Sequence, residues 1–277
     1  MGRALVLGGG GVTGVAWELG LLAGLAGHGL RLDEADLVVG TSAGSVVGAQ
    51  VRSGTPLSEL YEAQLRPPRD EVPARLGTAV LLRWAWAGGR GRDAARARAR
   101  IGAMALSART PSEQSRRAVI AARLPSPDWP AARLLVTAVD AASGEFVVFD
   151  GDSGVPLVDA VGASCAVPGV WPPVTVAGRR YVDGGVRSPV NADLAAGCDR
   201  VVVLAPTRAA VGPMPRLAAQ VAALREAGAR VAVVSPDRSA RTAIGRNVLD
   251  PARRAASGRA GFAQAEAVAD EVAAVWR

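Results

Sequence analysis

Short apolar runs alternate along the chain with glycine turns and with longer segments of helical periodicity. Apolar runs of this kind are typical of strands buried on both faces of a parallel sheet. The predicted strands are residues 3–7, 37–39, 133–139, 145–149, 179–183, 200–204 and 230–234. The predicted helices are about 15–26, 57–65, 112–124, 156–163, 216–227 and 261–276. The pattern predicts an α/β fold around a parallel sheet.

The stretch from about 66 to 133 interrupts this regularity and has a large excess of positive charge. All 32 basic residues of the chain are Arg, and this stretch holds 14 of them with only five acidic residues. The net charge of the whole chain is +7, so the remainder is close to neutral. Such a patch can face anionic lipid, nucleic acid or solvent. We interpret it as an irregular basic insertion and predict no nucleic-acid partner.

Composition favours an intracellular globular protein. The chain is 49% hydrophobic and 21% charged, which argues against disorder. Cys165 and Cys198 give no disulfide framework, and strand-like residues begin almost at the N-terminus, where a signal peptide would lie. The longest uncharged run, residues 160–178, contains three Pro and cannot be a spanning helix. We expect a cytoplasmic location, with peripheral membrane contact as a second option.

A glycine-rich loop follows the first predicted strand. Gly9, Gly11 and Gly14 fit the dinucleotide-binding pattern Gly-x-Gly-x-x-Gly. That pattern requires an acidic residue at the end of the second strand, but Asp36 precedes this strand here. The other use of such a loop is to bind an oxyanion through backbone N–H groups. We therefore predict no cofactor and no metal, and favour an oxyanion hole.

The second predicted strand leads directly into Gly40-Thr41-Ser42-Ala43-Gly44. A strand, a sharp turn and a helix are the setting of a nucleophile elbow, where the serine hydroxyl is exposed at the turn. Parallel strands joined by a crossover helix end at the same edge of the sheet. We therefore expect Ser42 to lie beside the glycine-rich loop.

A serine nucleophile needs a base, and the residues favour an Asp over a His. The one His of the chain, His28, lies in Gly27-His28-Gly29, a pattern typical of a helix C-terminus. Asp183 follows a short strand and precedes Gly184 and Gly185, which would leave it open to a neighbouring loop. The alternative for Asp183 is that it caps a turn.

Together these motifs resemble those of the patatin-like phospholipase family. The resemblance rests on Gly9-x-Gly11-x-x-Gly14, Gly40-x-Ser42-x-Gly44 and Asp183-Gly184-Gly185, and on the segment 163–173 with its Ser and Pro residues. It implies a three-layer α/β/α sandwich with a mainly parallel central sheet, in one domain covering residues 1–277. It also implies a Ser42–Asp183 dyad, and an oxyanion hole formed by Gly9, Gly10, Gly11 and Gly14. One departure is Thr13, where many relatives carry a basic residue that nearby Arg would have to replace.

The function implied is hydrolysis of a lipid acyl ester by a serine esterase of the phospholipase A or lysophospholipase type. The motifs are equally compatible with water or another alcohol as acyl acceptor, and with several head groups, acyl chains and oligomeric states. The alternative is a non-catalytic nucleotide- or lipid-binding protein that retains the glycine loops.

Residues 81–100 combine two aromatic side chains with five Arg. We predict that this segment is a mobile cover over the site that contacts anionic membrane. The residues involved are Trp84, Trp86, Arg90, Arg92, Arg96, Arg98 and Arg100. The alternative is a solvated Ala/Arg helix without a partner.

Overall fold

The computed structural model describes residues 2–67, 74–75, 77, 82, 84, 87, 93–207 and 214–277. The strands are β1 (Arg3–Leu7), β2 (Leu37–Gly40), β3 (Leu134–Asp140), β4 (Phe146–Phe149), β5 (Val174–Val176), β6 (Arg179–Asp183), β7 (Arg200–Leu204) and β8 (Arg230–Val234). The α-helices among the described residues are α1 (Gly11–Gly27), α2 (Ala43–Arg52), α3 (Leu57–Leu65), α4 (Ala94–Leu106), α5 (Glu113–Ala121), α6 (Leu157–Ser164), α7 (Leu217–Glu226), α8 (Arg238–Ile244) and α9 (Arg254–Trp276).

All eight strands belong to one sheet. Strand pairings run in the order β5-β6-β3-β2-β1-β7-β8, and β4 pairs in addition with β3. The pairs among β3, β2, β1, β7 and β8 are parallel, whereas β4, β5 and β6 pair antiparallel. The predicted α/β architecture with a mainly parallel sheet is confirmed.

The pairing of β3 explains how two distant segments meet. Val136 pairs with both β2 and β4, and Ala138 pairs with both β4 and β6. Since a strand residue has one partner on each side, β4 occupies one edge of β3, and β2 and β6 share the other. On that shared edge Gly40 pairs with Val136, and Asp183 pairs with Ala138. The ends of β2 and β6 therefore face each other.

Helices cover both faces of the sheet. Alternate residues of β1 point to opposite faces, with Leu5 and Leu7 in one hydrophobic core and Ala4 and Val6 in the other. The first core packs against α1, α2, α3, α6, α8 and α9, and the second packs against α7. This arrangement is a sandwich of helix, sheet and helix layers.

Most element boundaries agree with the sequence pattern within about two residues, and the exceptions have local causes. Helix α1 begins at Gly11, not at residue 15, because the last glycines of the loop already form its first turn. Helix α9 begins at Arg254, seven residues before the predicted start. The sequence pattern did not indicate β5 or α8, both of which are short and follow prolines.

The Arg-rich segment is only partly described. Of the residues predicted to contact membrane, Trp86, Arg90 and Arg92 lie outside the described residues. Within the described part of the chain, no helix is long and apolar enough to cross a membrane.

Helices α1 and α9 approach closely because small residues line their contact. A Cβ added to Gly24 would lie 2.5 Å from the Ala265 Cβ and 2.8 Å from the Phe262 carbonyl oxygen. A Cβ added to Gly20 or Gly261 would collide with backbone of the opposite helix. The glycines of α1 therefore set the distance between the two helices.

We predict that Gly24→Ala lowers the free energy of unfolding by about 1–3 kcal/mol, the usual cost of overpacking. Gly27→Ala, in the same helix but with open space around the added Cβ, is the matched control. It should be neutral or stabilising, because Ala favours helix more than Gly. Chemical denaturation of the two variants measures the difference. Equal stability of both would show that the α1–α9 contact tolerates a larger side chain.

Candidate active site

Ser42 lies at the turn between β2 and α2, with φ 52° and ψ −116°. A positive φ is strained for a residue with a Cβ, and it is typical of a nucleophile at a sharp strand-to-helix turn. A Cβ added to Gly40 would lie 2.6 Å from the Ser45 Cα, and one on Gly44 would collide with the Leu7 carbonyl. The two glycines of the motif thus leave the space that the turn needs.

Asp183 ends β6, and its carboxylate lies close enough to the Ser42 hydroxyl for the hydroxyl to act on it as a hydrogen-bond donor. The side chain is 4% exposed, and its Oδ1 accepts the Gly185 N–H at 2.7 Å. Burial raises the pKa of Asp183 to about 7, although the hydrogen bonds from Ser42 and Gly185 act in the opposite direction. A carboxylate with this pKa is basic enough to accept a proton at neutral pH.

The segment after α6 holds both residues in position. The Ser42 N–H donates to the Ser164 Oγ at 2.9 Å, and the Cys165 thiol donates to the Ser42 carbonyl at 3.3 Å. One residue later, the Ala166 carbonyl accepts the Asp183 N–H at 3.1 Å. These three bonds fix the backbone of Ser42 relative to that of Asp183.

A buried polar network lies behind the pair, and the sequence did not indicate it. The Asn191 Nδ2 donates to the Thr41 Oγ1 at 3.0 Å and, at 3.4 Å, to both the Thr137 Oγ1 and the Gly184 carbonyl. Asn191 is fully buried with φ 53°, a conformation that Asn tolerates better than most residues. It thereby connects the residue before Ser42 with the residue after Asp183.

Two of the four glycines predicted to form the oxyanion hole have their N–H groups engaged elsewhere. The Gly9 N–H donates to the Pro189 carbonyl at 2.7 Å, and the Gly14 N–H donates to the Gly10 carbonyl at 2.8 Å within α1. In the described part of the chain, no group accepts from the N–H of Gly10 or Gly11. These two groups lie at the N-terminus of α1 and are the donors available to an oxyanion.

Gly8 connects the glycine-rich loop with the elbow. Its carbonyl accepts the Gly44 N–H at 3.0 Å, which confirms that the two glycine motifs meet. Its own N–H donates to the Leu204 carbonyl and to the Glu18 Oε1 at 3.0 Å. Glu18 is fully buried, and burial raises the pKa of its carboxyl well above the usual range. The pattern of residues around Glu18 did not indicate this buried acid.

Thr13 cannot supply the cation that many relatives carry at its position. Its N–H and its Oγ1 both donate to the Val248 carbonyl at 3.2 Å, so it attaches the start of α1 to a neighbouring loop. Positive charge reaches the site from other elements, because Arg116, Arg123 and Arg246 line the cavity in front of Ser42.

This cavity, the Ser42 cavity, has a volume of about 350 Å³. Its apolar lining includes Val15, Val46, Trp84, Val167, Trp171 and Leu249. Asp183 is the only acidic residue among its described lining residues. Such a lining suits an acyl chain, and the Ser42–Asp183 pair lies at its wall.

His28 is the C-cap residue of α1, whereas the glycine-rich loop lies at the N-terminus of the same helix. Seventeen residues of helix separate the two ends by about 25 Å. His28 is therefore remote from Ser42. The predicted role of His28 as a helix cap is confirmed.

Comparison with solved structures gives relatives of low sequence identity. VipD from Legionella pneumophila is 14% identical, with a TM-score of 0.50, and the match covers 98% of this chain and 67% of that chain. The type III effector protein ExoU is 17% identical, with a TM-score of 0.43, and the match covers 97% of this chain and 53% of that chain. At such identities the likeness to VipD indicates a shared fold.

Comparison of the sequence with curated proteins finds no match. A model of the family described as patatin-like phospholipase matches residues 5–196. That range spans more than half of the chain and includes the glycine-rich loop, the elbow at Ser42 and the turn after Asp183. The fold agrees with this match, and the chain belongs to the patatin-like phospholipase family.

Proposed function

We propose that the protein is a serine hydrolase of lipid acyl esters that uses Ser42 as nucleophile and Asp183 as general base. Membership of the family supports lipid acyl hydrolase activity in general. The observation that carries the assignment of residues is that Ser42, at a strained turn, lies in one cavity with the buried Asp183 carboxylate, whose pKa is raised by burial to about 7 and on which the Ser42 hydroxyl acts as a hydrogen-bond donor. Both groups line an apolar cavity that can hold an acyl chain.

The mechanism has two proton transfers in each half-reaction. The Ser42 Oγ attacks the ester carbonyl while Asp183 takes the hydroxyl proton, and the N–H groups of Gly10 and Gly11 stabilise the oxyanion. Asp183 then returns the proton to the departing alcohol, which leaves an acyl group on Ser42. Water attacks this acyl-enzyme, again with Asp183 as base, and the protonated base restores the Ser42 hydroxyl as the fatty acid departs. Each oxyanion donor is worth about 10²–10³ in rate in comparable hydrolases.

Contact with an anionic membrane through residues 81–100 stays a prediction. In the described part of this segment, Arg98 and Arg100 donate to backbone carbonyls, and Arg96 pairs with Asp93. The Trp84 Nε1 donates to the Pro168 carbonyl at 3.2 Å beside the Ser42 cavity. These bonds attach the described part of this segment to the protein, which differs from the alternative of a solvated helix without a partner.

We predict that a fluorophosphonate probe labels the protein covalently and that Ser42→Ala removes both the labelling and the hydrolysis of p-nitrophenyl esters. The variant should keep its thermal stability, because the hydroxyl is its only loss and the backbone strain at Ser42 is unchanged. Mass spectrometry of the labelled peptide measures the labelling, and a melting curve measures the thermal stability. A folded wild-type protein that resists the probe would support the non-catalytic alternative.

We predict that kcat/KM rises with pH and levels off with an apparent pKa of about 7, because only ionised Asp183 can accept the proton of Ser42. Asp183→Asn should lose nearly all activity, whereas His28→Ala should lose almost none. A pH–rate profile from about pH 5 to 9 tests this. A profile centred near pH 4, or a large loss in His28→Ala, would contradict the assignment of the base.

The pH dependence of the free energy of unfolding tests the pKa of Asp183 independently of activity. An Asp in the unfolded chain titrates near pH 3.9, so the raised pKa of Asp183 makes unfolding easier as pH rises from about 4 to 7. Asp183→Asn lacks this penalty. Its free energy of unfolding should therefore exceed that of the wild type by an amount that grows over this range and then stays constant.

We predict that Asn191→Gly lowers kcat about tenfold to hundredfold with little change in KM, because the bonds from Asn191 to Thr41 and Gly184 position the catalytic pair. Glycine accepts the positive φ, so the variant removes the side chain without backbone strain. Ala177→Gly, at another positive φ but on an exposed turn, is the matched control. Equal kcat in the two variants would exclude a positioning role for Asn191.

A further inference from the structure

A second cavity, with a volume of about 310 Å³, adjoins the Ser42 cavity. Val12, Val15, Val46 and Arg123 line both, so the two cavities share a wall. The second cavity lies between α2, α3 and the turn that follows α5. The mechanism proposed for Ser42 and Asp183 makes no use of it.

Gln50 presents an unused acceptor in this second cavity. It is 7% exposed, and its Nε2 donates to the Arg123 carbonyl at 2.8 Å. Its Oε1 is buried and accepts no hydrogen bond from any group in the described part of the chain. Buried amide oxygens are usually paired, since leaving one unpaired costs free energy that a bound donor recovers. A ligand hydroxyl is a neutral group that can supply this donor.

The second cavity is also positively charged. Arg123 and Arg254 line it, and its described lining includes no acidic residue. The Arg254 Nη2 donates to the Ala63 carbonyl at 2.9 Å, which fixes that guanidinium at the end of α3. Arg116 and Arg123 also line the Ser42 cavity, so both cavities carry positive charge. An anionic group would therefore be attracted to the shared wall.

We propose that the second cavity binds the head group of the lipid ester and that this head group is anionic and carries a hydroxyl. The hydroxyl donates to the Gln50 Oε1, and the Arg123 guanidinium binds the negative oxygen. The acyl chain then occupies the Ser42 cavity, where Val167 and Trp171 provide apolar walls. This inference rests on the proposed hydrolase function.

The test compares three esters with the same lauroyl chain, each below its critical micelle concentration. Lauroyl lysophosphatidylglycerol is anionic with head-group hydroxyls, lauroyl lysophosphatidylcholine is zwitterionic, and monolauroylglycerol is neutral. We expect the wild-type kcat/KM to be at least about tenfold higher for lauroyl lysophosphatidylglycerol than for either of the other two esters. In Gln50→Met the kcat/KM ratio of lauroyl lysophosphatidylglycerol to lauroyl lysophosphatidylcholine, which has no head-group hydroxyl, should fall about tenfold. In Arg123→Met the kcat/KM ratio of the anionic ester to the neutral ester should fall about tenfold to hundredfold.

The matched control is Arg117→Met, because Arg117 is exposed, pairs with Asp159 and lies outside both cavities. The kcat/KM ratios of Arg117→Met for the three esters should equal those of the wild type. Equal hydrolysis of all three esters, or unaltered head-group ratios in Gln50→Met and Arg123→Met, would overturn the head-group site. Absence of both hydrolysis and fluorophosphonate labelling would overturn the hydrolase function together with this inference.

Discussion

The shared edge of β3 is the constraint on which the site depends. β2 runs parallel to β3 and β6 runs antiparallel to it, so the two strands approach each other end to end along one edge. Gly40 and Asp183 are thereby held two residues apart along β3, although 143 positions separate them in the chain. A slip of one residue in either pairing would turn the side chains to the opposite face. The register of β3 therefore determines whether Ser42 can reach Asp183.

Two buried acids have different uses at this site. Asp183 keeps hydrogen bonds from Ser42 and Gly185 that favour its charged form, so its pKa rises only to about 7. Glu18 has only the Gly8 N–H as a partner among the described residues, and its pKa is raised well above normal. A neutral Glu18 can brace the glycine-rich loop without adding a second negative charge beside the oxyanion hole. Asp183 accepts more hydrogen bonds than Glu18. This difference favours a charged Asp183 that can act as a base and a neutral Glu18 that supports the loop.

The sequence could predict the parts of this structure that depend on local pattern. The first and last residues of β6, β7 and β8 agree with the apolar runs. The glycines around Ser42 indicated the elbow, because a side chain at Gly40 or Gly44 would collide with the backbone. The start of α1 was missed because glycine is a poor helix former. The roles of Glu18 and Asn191 were missed for another reason. Their partners are set by tertiary contacts, such as the bond between Asn191 and Thr41 across 150 positions.

Positive charge around Ser42 comes from side chains outside the glycine-rich loop. With no cation on the glycine-rich loop, the cavity obtains positive charge from Arg116 and Arg123, at and just beyond α5. Because these side chains line the cavity wall and not the N-terminus of α1, their charge can act on a bound group as well as on the oxyanion. An anionic head group near Asp183 would by itself raise the pKa of that carboxylate and weaken the base. Neutralisation of the bound head group by the Arg123 guanidinium would limit this rise, so the proposed head-group site would hold an anionic substrate without weakening the base.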